Sequence, residues 1–163
     1  MRVFEQSAVL YNKEFIMKYS EAEKGRVFVI RLEDGDIIHE EIEKFAQDKS
    51  ISCAYVTAVG GIDKDSRLVC GPEDGRAETI HPEIIHVDNV HEVTGTGTIF
   101  PDKDGKPSLH MHLACGRYEK TLTGCVRPGV KVWHVLEIVL VELLNCSAQR
   151  LKDKATGFNL LEP

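Results

Sequence analysis

The sequence predicts an α+β fold: a β-rich chain built around one main helix. Two observations carry this. From Arg26 onward, short runs rich in β-branched and apolar residues alternate with turns containing Gly, Pro and Asp. A single segment, Ile37 to Lys49, instead repeats its apolar residues at helical spacing. One helix among six to eight strands is the α+β pattern. At 163 residues the chain is of a length to form one domain with a core of its own.

The first strand is Arg26-Val27-Phe28-Val29-Ile30-Arg31-Leu32, and Glu33-Asp34-Gly35 turns it. The helix follows. Asp36 is placed to cap its start, Glu40 and Glu41 suit the positive end of its dipole, and Ile38, Ile42, Phe45 and Ala46 form its apolar stripe. Ile51 to Val59 reads as a strand stopped by Gly60-Gly61. Arg67 to Cys70 and Glu83 to Val87 are short strands around the turn Gly71-Pro72-Glu73-Asp74-Gly75. His91 to Phe100 alternates Thr with Gly or apolar residues, as a strand with close backbone neighbours does. Pro101 to Pro107 is a hairpin loop, Ser108 to Ala114 and Thr121 to Val126 are the strands after it, and Arg127-Pro128-Gly129 turns again. In the long run Val130 to Leu144, Trp133, Val135, Val139 and Val141 share one face, while Val132, His134, Leu136, Ile138 and Leu140 share the other. Both faces are apolar, which predicts a central strand. In the polar tail, Asn145 to Pro163, Phe158, Leu160 and Leu161 are expected to pack on the domain or on a neighbour.

Leu109-His110-Met111-His112-Leu113 is the most informative segment. On a strand it sends His110 and His112 to one face and Leu109, Met111 and Leu113 to the other. Cys125 lies thirteen positions after His112, the separation of facing residues across a hairpin. Two imidazoles and a thiolate are ligands that zinc takes, and three protein ligands leave a fourth position open. The competing reading is of two histidines on a solvated sheet face and a cysteine acting as a small buried hydrophobe. His134, on an otherwise apolar face, reads as a core histidine, and His81, His86 and His91 as ordinary exposed or half-buried ones. A cupin would place a glutamate four or five residues after the second histidine, and here Glu119 comes seven after it. No G-x-S-x-G elbow is present, and Gly95-Thr96-Gly97 lacks the Lys-Ser/Thr of a phosphate loop.

Net charge is −6, with Lys and Arg interleaved among acids, which disfavours direct nucleic-acid binding. No apolar run approaches the ~18 residues that span a bilayer, and Met1 to Gln6 lacks the apolar core of a secretory signal. The expectation is a cytoplasmic protein. The five cysteines, Cys53, Cys70, Cys115, Cys125 and Cys146, are odd in number and form no C-x-x-C, so they are expected as thiols or ligands, not disulfides.

Five motifs together resemble the plant-and-prokaryote conserved (PPC) domain, over about residues 24–144. They are Gly25 to Ile37, Ala58-Val59-Gly60-Gly61, Pro107 to His112, Thr123 to Gly129 and Val135 to Leu140. The resemblance implies one PPC-like domain over residues 1–163, with 145–163 as a C-terminal extension. It implies a mainly antiparallel sheet with one main helix against it, assembled as a homotrimer. It also implies a metal at the histidine cluster, held by His110, His112 and Cys125, where Cys125 stands in the place of the family's usual histidine. In plants the domain accompanies AT-hook segments in nuclear DNA-associated proteins. This chain has no Arg-Gly-Arg-Pro hook, and His91-Glu92-Val93-Thr94 is only a loose counterpart of the plant G-R-F-E-I-L segment.

The leading expectation is a zinc-binding protein with a binding or assembly role, DNA association coming with the family label alone. The alternative is a zinc-dependent, hydrolase-like enzyme using a metal-activated water, with Glu92, Glu119 or Glu137 as general base. A third reading makes the metal structural and the trimer a scaffold.

Overall fold

The computed structural model describes residues 17–77 and 80–163; the N-terminal Met1 to Gln6 lies outside them. One eight-stranded sheet runs in the order β1-β8-β2-β5-β6-β7-β3-β4. Its strands are β1 (Glu23–Glu33), β2 (Ala54–Ile62), β3 (Arg67–Cys70), β4 (Glu83–His86), β5 (His91–Pro101), β6 (Pro107–Arg117), β7 (Lys120–Val126) and β8 (Val132–Leu144). All its pairings are antiparallel. A second hairpin, β9 (Gln149–Lys152) with β10 (Asn159–Glu162), closes the chain. The one helix among the described residues, α1 (Ile38–Asp48), covers one sheet face, so the predicted α+β architecture with a mainly antiparallel sheet is what forms.

The core follows from two periodicities that meet. Ile38, Ile42 and Ala46 of α1 are buried. They join Val56 and Ala58 of β2, Leu109, Met111 and Leu113 of β6, and Leu136, Ile138 and Leu140 of β8. Phe45 and Phe28 close one side, edge to face at 5.2 Å between ring centroids. Asp36 does not cap the helix. Ile37 occupies that position without a side-chain bond, and the Asp36 carboxylate accepts the Glu33 amide at 2.8 Å, tightening the preceding turn. A side chain already closing its own turn is not free to cap.

Two glycine predictions have different outcomes. Gly60-Gly61 does not stop β2, which continues to Ile62. A Cβ at Gly60 would collide with the Val135 carbonyl oxygen, so the glycine is what lets β2 pass this close to β8. The expected close packing at Gly95 and Gly97 is present: a Cβ at either would stand 2.7 Å from the carbonyl oxygen of His112 or His110 respectively.

β8 has neighbours on both sides, as predicted for a central strand. Its alternation nevertheless breaks. The register with β2 shifts between Gly60 and Ile62, and His134 takes a left-handed φ of 58°. This bulge turns His134 out of the core to an exposed position, where its amide donates to Asp34 Oδ1 at 2.7 Å. The predicted core histidine is therefore corrected. The opposite holds for His91, buried at 5% exposure with Nδ1 2.8 Å from the Asn89 carbonyl oxygen.

On the face away from α1, the C-terminal segment forms a small second core. Ala148 is buried with Cys53 and Phe100, and Leu143 and Cys146 pack around them. Of the two places expected for Phe158, Leu160 and Leu161, burial on the domain is not what forms, since each keeps 40% or more of its surface exposed. Burial pushes the Cys53 and Cys115 thiols up to about 12, as befits inert core cysteines, and all five cysteines are free thiols. No helix among the described residues is long and apolar enough to cross a membrane.

Candidate metal centre

β6 does what its sequence alternation requires. Leu109, Met111 and Leu113 are buried, while His110 and His112 are exposed on the other face. The Nε2 atoms of the two imidazoles lie 3.2 Å apart. Cys125 on β7 is the register partner of His112, so its sulfur emerges on the same face. The three donor atoms, one from each residue, all lie within 4.8 Å of one another.

The separation of the two nitrogens suits a tetrahedral ion such as zinc. Two nitrogens each about 2.05 Å from a tetrahedral zinc stand about 3.3 Å apart, and nitrogen with sulfur slightly further. The donor set, two imidazoles and a thiolate, is also one that zinc prefers. Around the donors the surroundings are cationic. Arg127 Nη1 donates to Cys125 Sγ, an outer hydrogen bond of the kind that orients a ligand. His110 is held below the usual histidine pKa, first by the shielding of its ring from water, then by the charges of Arg150 and Arg127 among its neighbours. A neutral imidazole is the form that binds metal.

Three further residues belong to this neighbourhood and escape a reading of the sequence alone. His39, on the first turn of α1, is lowered in pKa chiefly by burial, opposed by Glu43, and its Nδ1 is buried without a hydrogen-bond partner. Glu43 accepts the Leu109 amide at 2.8 Å, holding the margin of β6 beside the histidines. His39 and Glu43 stand one helical turn apart, the only local signal they carry. Arg150, from β9, donates through Nη2 to Thr98 Oγ1 at 2.8 Å. Thr98 is the register partner of His110, which brings the C-terminal segment over the site.

None of the acids expected as general bases stands beside the cluster, although Glu137 lines the same open cleft as His112. Glu137 is on β8, three strands from β6 in the sheet order, about 14 Å across at 4.8 Å per strand. Glu92 lies four residues along β5 from Thr96, the partner of His112, about 13 Å away at 3.3 Å per residue. Glu119 sits in the β6–β7 turn, six residues from Cys125, about 20 Å along the hairpin. His81 and His86 are exposed and outside the cluster.

Comparison with known proteins agrees with this architecture. The sequence model of the Plants and Prokaryotes Conserved (PCC) domain matches residues 19–144. A plant- and prokaryote-conserved protein of Pyrococcus horikoshii superposes with a TM-score of 0.77 at 23% identity, covering 90% of this chain and 98% of that one. A metal-containing protein of Archaeoglobus fulgidus gives 0.75 at 24% identity, covering 88% and 98%. A protein of Ralstonia eutropha described as a candidate DNA-binding protein gives 0.63 at 23% identity, covering 82% and 88%. Among curated sequences, the bifunctional protein GlmU of Synechococcus sp. (strain JA-3-3Ab) is 27% identical over 135 residues, 82% of this chain. The chain spans about one fifth of that relative's length, 20%.

Proposed function

The chain belongs to the Plants and Prokaryotes Conserved (PCC) domain family, and on that premise we propose that it is a cytoplasmic, zinc-binding protein with a binding and assembly role, working as a homotrimer. The observation that carries the metal reading is the convergence of His110, His112 and Cys125 on one face, with donor atoms within 4.8 Å of one another. Similarity to a fold that contains metal in Archaeoglobus fulgidus supports it.

Assembly has its own support. The sheet face away from α1 is uncovered across β1, β2 and β8. Val29 is 83% exposed, Val59 55% and Val139 40%, and with Tyr55 they border one open cleft of about 640 Å³. An apolar patch bordered by an edge strand marks a protein contact. Direct binding to DNA is no part of this reading, because the chain carries a net charge of −6.

An enzyme using a metal-bound water needs a base within hydrogen-bond reach of that water. Glu92, Glu119 and Glu137 each lie more than about 10 Å from the ligands, and Glu43 is engaged by the Leu109 amide. The assembly reading is therefore preferred to the hydrolytic one.

The test is metal content by elemental analysis of protein purified without added metal or nickel affinity, with His110→Ala and Cys125→Ala beside it. Near one zinc per chain, lost in both variants, is expected. A wild type that stays metal-free after reconstitution with zinc would overturn the reading.

A further inference from the structure

His110 borders a second cleft, of about 600 Å³, whose far wall is the C-terminal segment. Arg127, Arg150 and Lys152 line it beside His110, and no Asp or Glu does. Three cations without an acid is an unusual concentration in a chain with 26 acidic and 20 basic residues. The apolar part of the wall is Phe158 and Leu160, both about half exposed.

Arg150 is the telling residue. It is only 9% exposed, and its guanidinium lies 5.6 Å from the centroid of the Phe100 ring. Nη2 is satisfied by Thr98, but Nε is buried with no hydrogen-bond partner. Buried charged donors in folded proteins are ordinarily paired, so the free N–H marks a missing acceptor. A guanidinium presents its donors as a planar fork that matches carboxylate and phosphate oxygens. Three protein ligands would also leave a position open on the metal. Arg150 lies beyond residues 19–144, the span matched by the family, so the feature belongs to this chain's extension.

Resting on the metal-site reading above, we propose that this cleft binds a small-molecule oxyanion, carboxylate or phosphate, which Arg150 grips together with Arg127 and Lys152 at the open position of the metal. The volume is that of a small-ligand site, and Phe158 and Leu160 would receive the apolar part of the ligand.

The test uses the full chain reconstituted with Co(II), whose visible ligand-field bands report changes in coordination. Inorganic phosphate and succinate are titrated separately, so that the responding anion identifies which oxyanion chemistry the site takes. A saturable band shift with at least one of them is expected. In Arg150→Met the dissociation constant should rise at least tenfold while cobalt stays bound. Lys152→Ala, a substitution at an exposed position, should weaken the anion several-fold and serves where Arg150→Met does not fold. Cobalt bands that respond to neither anion at millimolar concentration, or variants that bind the anion like the wild type, overturn the oxyanion site and leave the metal site standing. Absence of any cobalt ligand-field spectrum overturns both.

Discussion

Met111 and His112 are adjacent in the chain and live in opposite environments. Met111 is wholly buried in the core shared with α1, whereas His112 is exposed on the far face with its Nε2 3.2 Å from that of His110. One strand thus supplies the core and the candidate metal ligands at once, on alternate residues.

That division predicts opposite mutational signatures. Met111→Ala leaves a cavity in a closed core and should cost about 2–5 kcal/mol of stability. His112→Ala should leave the metal-free protein within about 0.5 kcal/mol of wild type, yet abolish the gain in thermal stability on adding zinc. Thermal melts of both variants, with zinc and with chelator, check this.

Gly97 should be a hard point of the fold. A Cβ there would sit 2.7 Å from the His110 carbonyl oxygen and 2.8 Å from Met111 Cβ, forcing β5 away from β6. Gly97→Ala is expected to cost about 1–3 kcal/mol, the usual range for overpacking, and to weaken metal retention because it displaces the strand that carries both histidines. Denaturant unfolding and metal content, measured together, test the coupling.

Acid stability should depend on Glu142. It is 7% exposed and accepts Arg26 Nε at 2.7 Å and Arg26 Nη2 at 2.8 Å. Those hydrogen bonds, opposed by burial, hold its carboxyl below the usual glutamate value. A carboxyl whose folded pKa is lowered stabilises the fold above its unfolded value, about 4.3, and loses that contribution as pH falls through the lower folded value. The unfolding midpoint of wild type should exceed that of Glu142→Gln at pH 7, and the difference should shrink once pH drops below about 4.3. A gap that stays constant from pH 7 to pH 3 would refute this assignment.

Val29 tests assembly. It is 83% exposed on the edge strand β1, beside the uncovered apolar face. Val29→Glu should leave the far-ultraviolet circular dichroism unchanged and reduce the mass seen by light scattering from three chains to one. An unchanged trimer, or a wild type that is already monomeric, would sink the proposed interface.

Much of the candidate site was legible before the fold. The two-residue period alone assigns Leu109, Met111 and Leu113 to one face and the two histidines to the other, and a hairpin spacing brings Cys125 opposite His112. The same period, extended along β8, places His134 in the core, but a left-handed residue at a bulge resets the phase. Gly60-Gly61 reads as a stop in the sequence, whereas the missing side chains are what allow β2 to lie against β8.

The sequence by itself determined the composition of each face, the single helix with its apolar stripe, and the three candidate metal ligands, because these depend on local period and short hairpin separations. Only the tertiary structure decided what surrounds those ligands. Arg150 is 38 positions from His112 in the chain and joins the site because β9 folds back over β5, burying Ala148 against Cys53 and Phe100. His39 arrives from α1 because the helix must cover the inner face. The same packing leaves the other face of β1, β2 and β8 uncovered. Long-range burial has no period in the sequence, so the cationic cleft and the open apolar face become visible only when the chain closes on itself.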